Sequence, residues 1–91
     1  MISMPKLSQF FGIEIIIRTG ENSHFLPHFH AIYGDEEISV AIGTLEILAG
    51  NMNRRALALV IEWAIQHRPE LQAAWDDLKA GRKPRNIEPL R

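Results

Sequence analysis

The stretch from His24 to Gly34 reads HFLPHFHAIYG, and it decides the fold of this chain. It holds three of the four histidines and ends at a glycine that favours a turn. Because Pro27 has no backbone N–H to donate to a neighbouring strand, a strand is expected to begin after it. Side chains of a strand alternate between its two faces. The alternation places Phe29, Ala31 and Tyr33 on one face and His28, His30 and Ile32 on the other.

A second alternating segment follows the glycine. Residues 37–42 read EISVAI, which is typical of a strand with one buried face. With Gly34, Asp35 and Glu36 as the turn, residues 28–42 are predicted to form a β-hairpin. Its core face is expected to consist of Phe29, Tyr33, Ile38, Val40 and Ile42.

The segments on either side of the hairpin predict two further strands. Residues 10–18, FFGIEIIIR, are rich in aromatic and β-branched residues and favour a strand. Residues 1–9 contain Pro5 and are expected to be an irregular N-terminal segment. Residues 44–48 are predicted to form a short fourth strand, closed by Gly50 and Asn51.

The second half of the chain predicts two helices. Asn53 is a suitable N-cap for a helix that runs to about His67. Pro69 then fits the first position of a second helix, which runs to Ala80 and is followed by Gly81. Residues 82–91 contain four basic residues and two prolines and are predicted to be an extended basic tail.

These elements define an α+β fold: a small antiparallel sheet of three to four strands, followed by two C-terminal helices packed on one face. Ninety-one residues correspond to a single domain, 1–91. The chain has no cysteine, which excludes disulfides and thiol chemistry, and no apolar run long enough to cross a membrane. A cytoplasmic protein is therefore expected.

The histidines are candidates for a metal site. Alternate residues of one strand face are about 6.5–7 Å apart, so His28 and His30 can reach one ion. His24 is a candidate third ligand from the preceding loop. No cofactor is expected, although a divalent metal such as zinc stays open here. The alternative is that His28 and His30 make structural hydrogen bonds at the rim of the sheet.

Arg54 and Arg55 stand at the start of the first predicted helix, where positive charge opposes the helix dipole. Such a local conflict is often a sign of function. Two guanidiniums at a helix N-terminus would bind phosphate or carboxylate, so the pair is a candidate anion-binding site. The alternative is that Arg55 pairs with Glu62 or another carboxylate while Arg54 is solvated.

The first helix is predicted to contribute an interaction surface. Its middle, residues 56–61, is apolar nearly all round, so one sheet face cannot cover it. A strip that includes Leu59 and Trp63 is expected to bind a partner or a second copy of the chain. The net charge of −1 does not favour nucleic acid as a partner, although a local basic patch leaves it open.

The chain resembles a bacterial family catalogued as domain of unknown function 4160. The resemblance is carried by Phe10-Phe11-Gly12, Pro27-His28-Phe29-His30-Ala31, Arg54-Arg55-Ala56-Leu57, Glu62-Trp63-Ala64 and Ile87-Glu88-Pro89-Leu90. It implies a compact domain that works with a small protein partner encoded nearby, in a toxin–antitoxin-like operon pair. It supplies no mechanism.

Two functions follow. The first is an interaction module of such a pair, acting with that partner or as a homodimer. The alternative is a small nuclease or metal-dependent hydrolase that uses the His28/His30 face together with Arg54 and Arg55. His28, His30 and Arg55 are its candidate catalytic residues, since an imidazole can move protons while a guanidinium stabilises phosphorane charge.

Overall fold

The structure is a computed structural model that describes residues 5–18 and 26–91. Within these residues it contains a five-stranded antiparallel sheet, in which each strand pairs with the next along the chain, followed by two helices. The elements are β1 (Lys6–Phe10), β2 (Ile13–Ile16), β3 (His28–Tyr33), β4 (Glu36–Ala41), β5 (Ile47–Asn51), α1 (Arg54–Gln66) and α2 (Arg68–Lys79). The α+β class is confirmed, but the prediction of three to four strands is wrong.

The central hairpin agrees with the prediction. β3 pairs with β4 along its whole length, with Phe29 opposite Val40 and Ala31 opposite Ile38, and these four residues are buried. Tyr33 is the exception on the predicted core face, because 38% of it is exposed. It lies at the turn end of β3 and lines an open pocket beside the start of α1.

The N-terminal part of the sheet differs from the prediction. Residues 6–9, expected within the irregular segment 1–9, belong to β1. The predicted strand 10–18 is divided by a turn at Phe11 and Gly12, where both residues have a positive φ (49° and 80°). The hydrophobic run therefore forms the end of one strand and the whole of the next, and not one long strand.

The last strand, β5, begins three residues later than predicted and includes Gly50. Gly50 was expected to close the strand, but it lies inside it with a φ of 87°. A Cβ at this position would lie 2.1 Å from the backbone oxygen of Glu37 on β4. The glycine is therefore required because the two backbones approach closely here.

Both helices are confirmed. The side chain of Asn53 accepts a hydrogen bond from the backbone N–H of Ala56 (2.9 Å), as expected of an N-cap. Pro69 lies in the first turn of α2, and Gly81 follows the helix with a φ of 80°. The buried residues of the two helices join the inward-facing residues of β1 to β4 in one hydrophobic cluster.

Trp63 of α1 lies at the centre of this cluster. It is fully buried, and its ring is 5.4 Å from that of Phe10 and 6.0 Å from that of Phe29, measured between centroids. The expectation that Trp63 forms part of an uncovered strip is therefore wrong. Leu59, the other residue of that strip, is half-buried.

Residues 82–91 form no helix or strand, and they pack back onto the sheet. Ile87 is buried, and its backbone N–H donates to the carbonyl oxygen of Leu7 on β1 (2.7 Å). The indole N–H of Trp63 donates to the carbonyl oxygen of Glu88 (2.8 Å). The predicted basic tail thus covers the outer edge of β1 and part of the core.

In the part of the chain that the structure describes, neither helix has the length and apolar character needed to span a bilayer.

The packing of the tail predicts that Ile87→Ala lowers the free energy of unfolding by about 2–4 kcal/mol, because it leaves a cavity against the core. Arg85→Ala, two residues away and exposed, is the matched control and should change it by less than about 0.5 kcal/mol. Urea denaturation followed by tryptophan fluorescence measures both. Equal effects of the two substitutions would contradict a packed tail.

Candidate functional site

His28 and His30 lie on the same face of β3, as predicted. Phe29 between them points into the core and is fully buried. The two imidazole rings are 5.2 Å apart between centroids and nearly perpendicular, at 69°. The ring of His28 also lies 5.2 Å from that of Trp75 on α2. The pair is therefore positioned by both the sheet and the second helix.

The hydrogen bonds of the two histidines determine which ring nitrogens remain available. Nδ1 of His28 is 2.8 Å from the carbonyl oxygen of Leu26, and Nδ1 of His30 is 3.1 Å from Oε2 of Glu37. Both partners are acceptors, so each neutral imidazole carries its proton on Nδ1. Nε2 of each ring is then the unprotonated nitrogen that can accept a proton or bind a metal ion.

Arg18 and Glu37 complete the cluster around His30. A terminal guanidinium nitrogen of Arg18 lies 3.1 Å from Oε2 of Glu37, the same oxygen that His30 contacts. Nε of Arg18 is buried and has no hydrogen-bond acceptor among the described residues. The cluster thus contains two imidazoles, a carboxylate and a guanidinium with one unused donor.

The pKa of His30 is lowered from its ordinary value of 6.5. Burial is the main cause, and the positive charge of Arg18 and the proximity of His28 act in the same direction. Glu37 opposes them through its charge and its hydrogen bond. His30 is therefore neutral at physiological pH, with the lone pair of Nε2 available.

The structure does not complete a three-ligand metal site within residues 5–18 and 26–91. His24, the predicted third ligand, lies outside the described residues. The hydrogen bonds of His28 and His30 nevertheless resemble those of metal-ligating histidines, which usually donate the second ring N–H to a carbonyl or a carboxylate. Metal binding by His28 and His30 therefore stays a prediction.

Arg54 and Arg55 lie elsewhere. Both are exposed in the first turn of α1. Neither forms an ion pair with any residue that the structure describes. The expected pair of Arg55 with Glu62 is therefore not formed. Arg55 lines a pocket together with Tyr33. Tyr33 and His28 are at opposite ends of β3, about 17 Å apart along the strand. The structure therefore brings His28 and His30 together with Arg18, and not with Arg55.

The pocket beside Arg55 has a volume of about 380 Å³ and was not predicted. It lies between the β1–β2 turn and the first turn of α1. Its lining residues are Phe11, Ile13, Tyr33, Asn53, Arg55, Ala56 and Leu59. The sequence gives one signal for it, the conflict of Arg54 and Arg55 with the dipole of α1.

The fold and the histidine pair define a class of small α+β protein, in which a five-stranded meander carries a His-x-His pair on its third strand. The chain belongs to the family described as domain of unknown function (DUF4160), which its residues 12–76 match. The match includes the histidine pair and both arginines of α1. No curated protein and no solved structure matches the chain.

The cluster around His30 predicts opposite effects of two substitutions on the pKa of His30. Arg18→Gln removes a nearby positive charge, so the pKa should rise toward 6.5. Glu37→Gln removes a negative charge and a hydrogen-bonding carboxylate, so the pKa should fall further. NMR titration of the ring C–H signals measures both. Shifts of the same sign in the two variants would contradict this cluster.

Proposed function

We propose that the chain is a protein-interaction module that works with a small partner protein, in a toxin–antitoxin-like pair of the kind that the family resemblance implies. The observation that carries the proposal is the difference between the two edges of the sheet. Exposed strand edges offer unpaired backbone N–H and C=O groups to other chains, and most proteins protect them.

The edge formed by β1 is protected. Leu7 accepts a backbone hydrogen bond from Ile87, and the tail around Ile87 covers this side. The opposite edge is β5, and all five of its residues are exposed. The sequence of β5, ILAGN, contains no charged residue and no proline, two of the means by which proteins block an edge. Its pairing with β4 is irregular between Ile47 and Ala49, where the register shifts, and is regular from Ala49 to Asn51.

A partner strand would extend the sheet by hydrogen bonding to β5. In this mode of recognition the backbone bonds supply affinity and the alternating side chains supply selectivity. Ile47 and Leu48, each 43% exposed, would supply the apolar contacts. The occupant that we favour is a strand of the neighbouring protein. A second copy could also pair with β5 in an antiparallel arrangement around Ala49, because no like charges would then face each other.

The proposal predicts that Ile47→Lys weakens the complex at least about tenfold, since a charge on an edge strand opposes strand addition. The chain and the product of its neighbouring gene would be purified together. Light scattering then gives the mass of the complex, and calorimetry its dissociation constant. Ile65→Lys is the matched control, because it is the same substitution at a residue of α1 that is 60% exposed. Its dissociation constant should stay within about twofold of the wild-type value.

Three results would decide between surfaces. Loss of the complex with Ile65→Lys alone would move the interface to α1 and overturn the role of β5. If the chain is a dimer by itself and Ile47→Lys makes it monomeric, β5 pairs with a second copy. No complex with either partner at high micromolar concentration would overturn the interaction module.

A second candidate function is a small nuclease or metal-dependent hydrolase that uses the His28/His30 face. It is favoured by Arg18, whose guanidinium lies in the same cluster and has a buried Nε–H without an acceptor. In this role the Nε2 atoms of His28 and His30 would move protons or bind a divalent metal such as zinc. Arg18 takes the place expected of Arg55, because a guanidinium next to the imidazoles can stabilise phosphate charge.

If the histidines bind zinc, saturating ZnCl₂ at pH 7.5 should raise the melting temperature by about 5 °C or more. The increase should disappear in His28→Gln and in His30→Gln, and in the wild type it should fade below about pH 6, where imidazoles protonate. Differential scanning fluorimetry measures it.

His67→Gln is the control for zinc bound elsewhere, because it removes the histidine of α1 that pairs with Glu70. If the zinc-induced increase in melting temperature persists in His30→Gln but disappears in His67→Gln, the metal binds away from β3. No shift in the wild type with zinc, manganese or nickel would leave the structural role of the pair.

A further inference from the structure

Phe11 has two features that oppose folding. The residue is 61% exposed, and it is not part of the buried cluster. Its backbone has a φ of 49°, a left-handed conformation that L-residues other than Asn and Asp rarely adopt. Asn-Gly or Asp-Gly is the usual choice for a two-residue hairpin turn of this kind. A phenylalanine in this turn points to a function for its ring, because strained residues cluster at binding sites.

The ring of Phe11 forms one wall of the pocket of about 380 Å³. Tyr33 forms another wall, and its ring packs over Gly12, since a Cβ on that glycine would lie 3.3 Å from Cε1 of Tyr33. Leu59 of α1 contributes an apolar surface from the helix side. The pocket is therefore built from two partly exposed aromatic rings and an aliphatic side chain.

Arg55 supplies the charge of this pocket. It forms no ion pair with the described residues, and no acidic residue lies in the first turn of α1. The nearby carboxylate of Glu36 accepts hydrogen bonds from the backbone and the side chain of Asn53 (3.0 and 3.2 Å). The oxygen of the Asn53 side chain is occupied by its bond to Ala56. Arg55 is thus the lining residue that can bind an anion.

We propose that this pocket binds a segment of a protein partner in which an aromatic or branched aliphatic side chain stands beside a carboxylate. The apolar side chain enters between Phe11, Tyr33 and Leu59, and the carboxylate pairs with Arg55. Aromatic residues and arginine are the residues enriched at protein–protein hot spots, which favours a protein segment over a free metabolite. The inference does not depend on strand addition at β5, because the two surfaces share no residue.

The test uses two peptides and the full ¹⁵N-labelled chain. The probe is acetyl-Gly-Phe-Asp-Gly-amide, and the control is the same peptide with Asn in place of Asp. The probe should bind with a dissociation constant on the order of millimolar, as expected for a fragment of this size. The Asn peptide should bind about threefold to fivefold more weakly, the effect of one solvated ion pair. NMR shift changes should be centred on residues 11–13, 33 and 55–59.

Phe11→Asn separates binding from stability. Because Asn tolerates a positive φ, the variant should keep or raise the melting temperature, while the probe should bind at least about tenfold more weakly. A lower melting temperature together with unchanged binding would overturn the proposal, since the ring would then serve the fold.

Arg55→Gln should remove the preference for the Asp peptide. Arg68→Gln is its matched control, because Arg68 is also an exposed arginine in the first turn of a helix, and it should retain the preference. Equal loss of the preference for the Asp peptide in both variants would overturn the role of Arg55.

The free acid 3-phenylpropionate tests whether the ligand is a protein segment. If it binds as tightly as the probe, the pocket binds free acids and the protein segment is excluded. The expected dissociation constant of the probe is about 1 mM. If neither peptide binds at about tenfold that concentration, the proposed binding site is excluded.

Discussion

The burial of the Trp63 indole is the interaction on which the rest of the structure depends. Its ring contacts Phe10 of β1, Phe29 of β3 and His67 at the end of α1, and its N–H donates to the carbonyl of Glu88 in the tail. Four separate parts of the chain thus meet at one side chain. A buried indole needs a hydrogen-bond partner, and here the partner is the backbone of the last residues. For a chain of this size, truncating such a residue costs about 3–5 kcal/mol, a large part of its total stability.

The same residue shows what the sequence could not predict about the fold. The middle of α1 is apolar on nearly every side, so its periodicity does not say which side chains are covered or by what. The hydrogen-bond partner of Trp63 lies in the tail, whose prolines and basic residues are typical of a solvated segment. In contrast, the β3–β4 hairpin was predictable, because a turn glycine joins two segments with strict alternation. The β1–β2 turn was not, since Phe11 is not a residue that turns of this type prefer.

The candidate sites were also predictable only in part. That His28 and His30 lie side by side on one face could be predicted from the alternation of side chains in a single strand. Their contacts with Arg18 and Glu37 depend on the register between β2, β3 and β4, in which His30 lies opposite Ile16 on one side and Ser39 on the other. The pocket beside Arg55 depends on where α1 begins relative to the β1–β2 turn. Local sequence patterns therefore identified individual residues of each site. The residues that surround them are set by tertiary packing and could not be predicted in this way.

The arrangement of these surfaces links the two candidate functions. β4 carries Glu37 and pairs with β5, where Asn51 lies opposite Glu37. A strand added to β5 would lie about 10 Å from β4, since neighbouring strands are about 4.8 Å apart. Because β3 lies one strand further away than β4, the partner would contact neither histidine. Glu37 connects the two surfaces, since its carboxylate contacts His30 and Arg18 while its backbone oxygen faces Gly50 of β5. A strand that pairs with β5 would therefore hold in place the strand whose carboxylate orients His30.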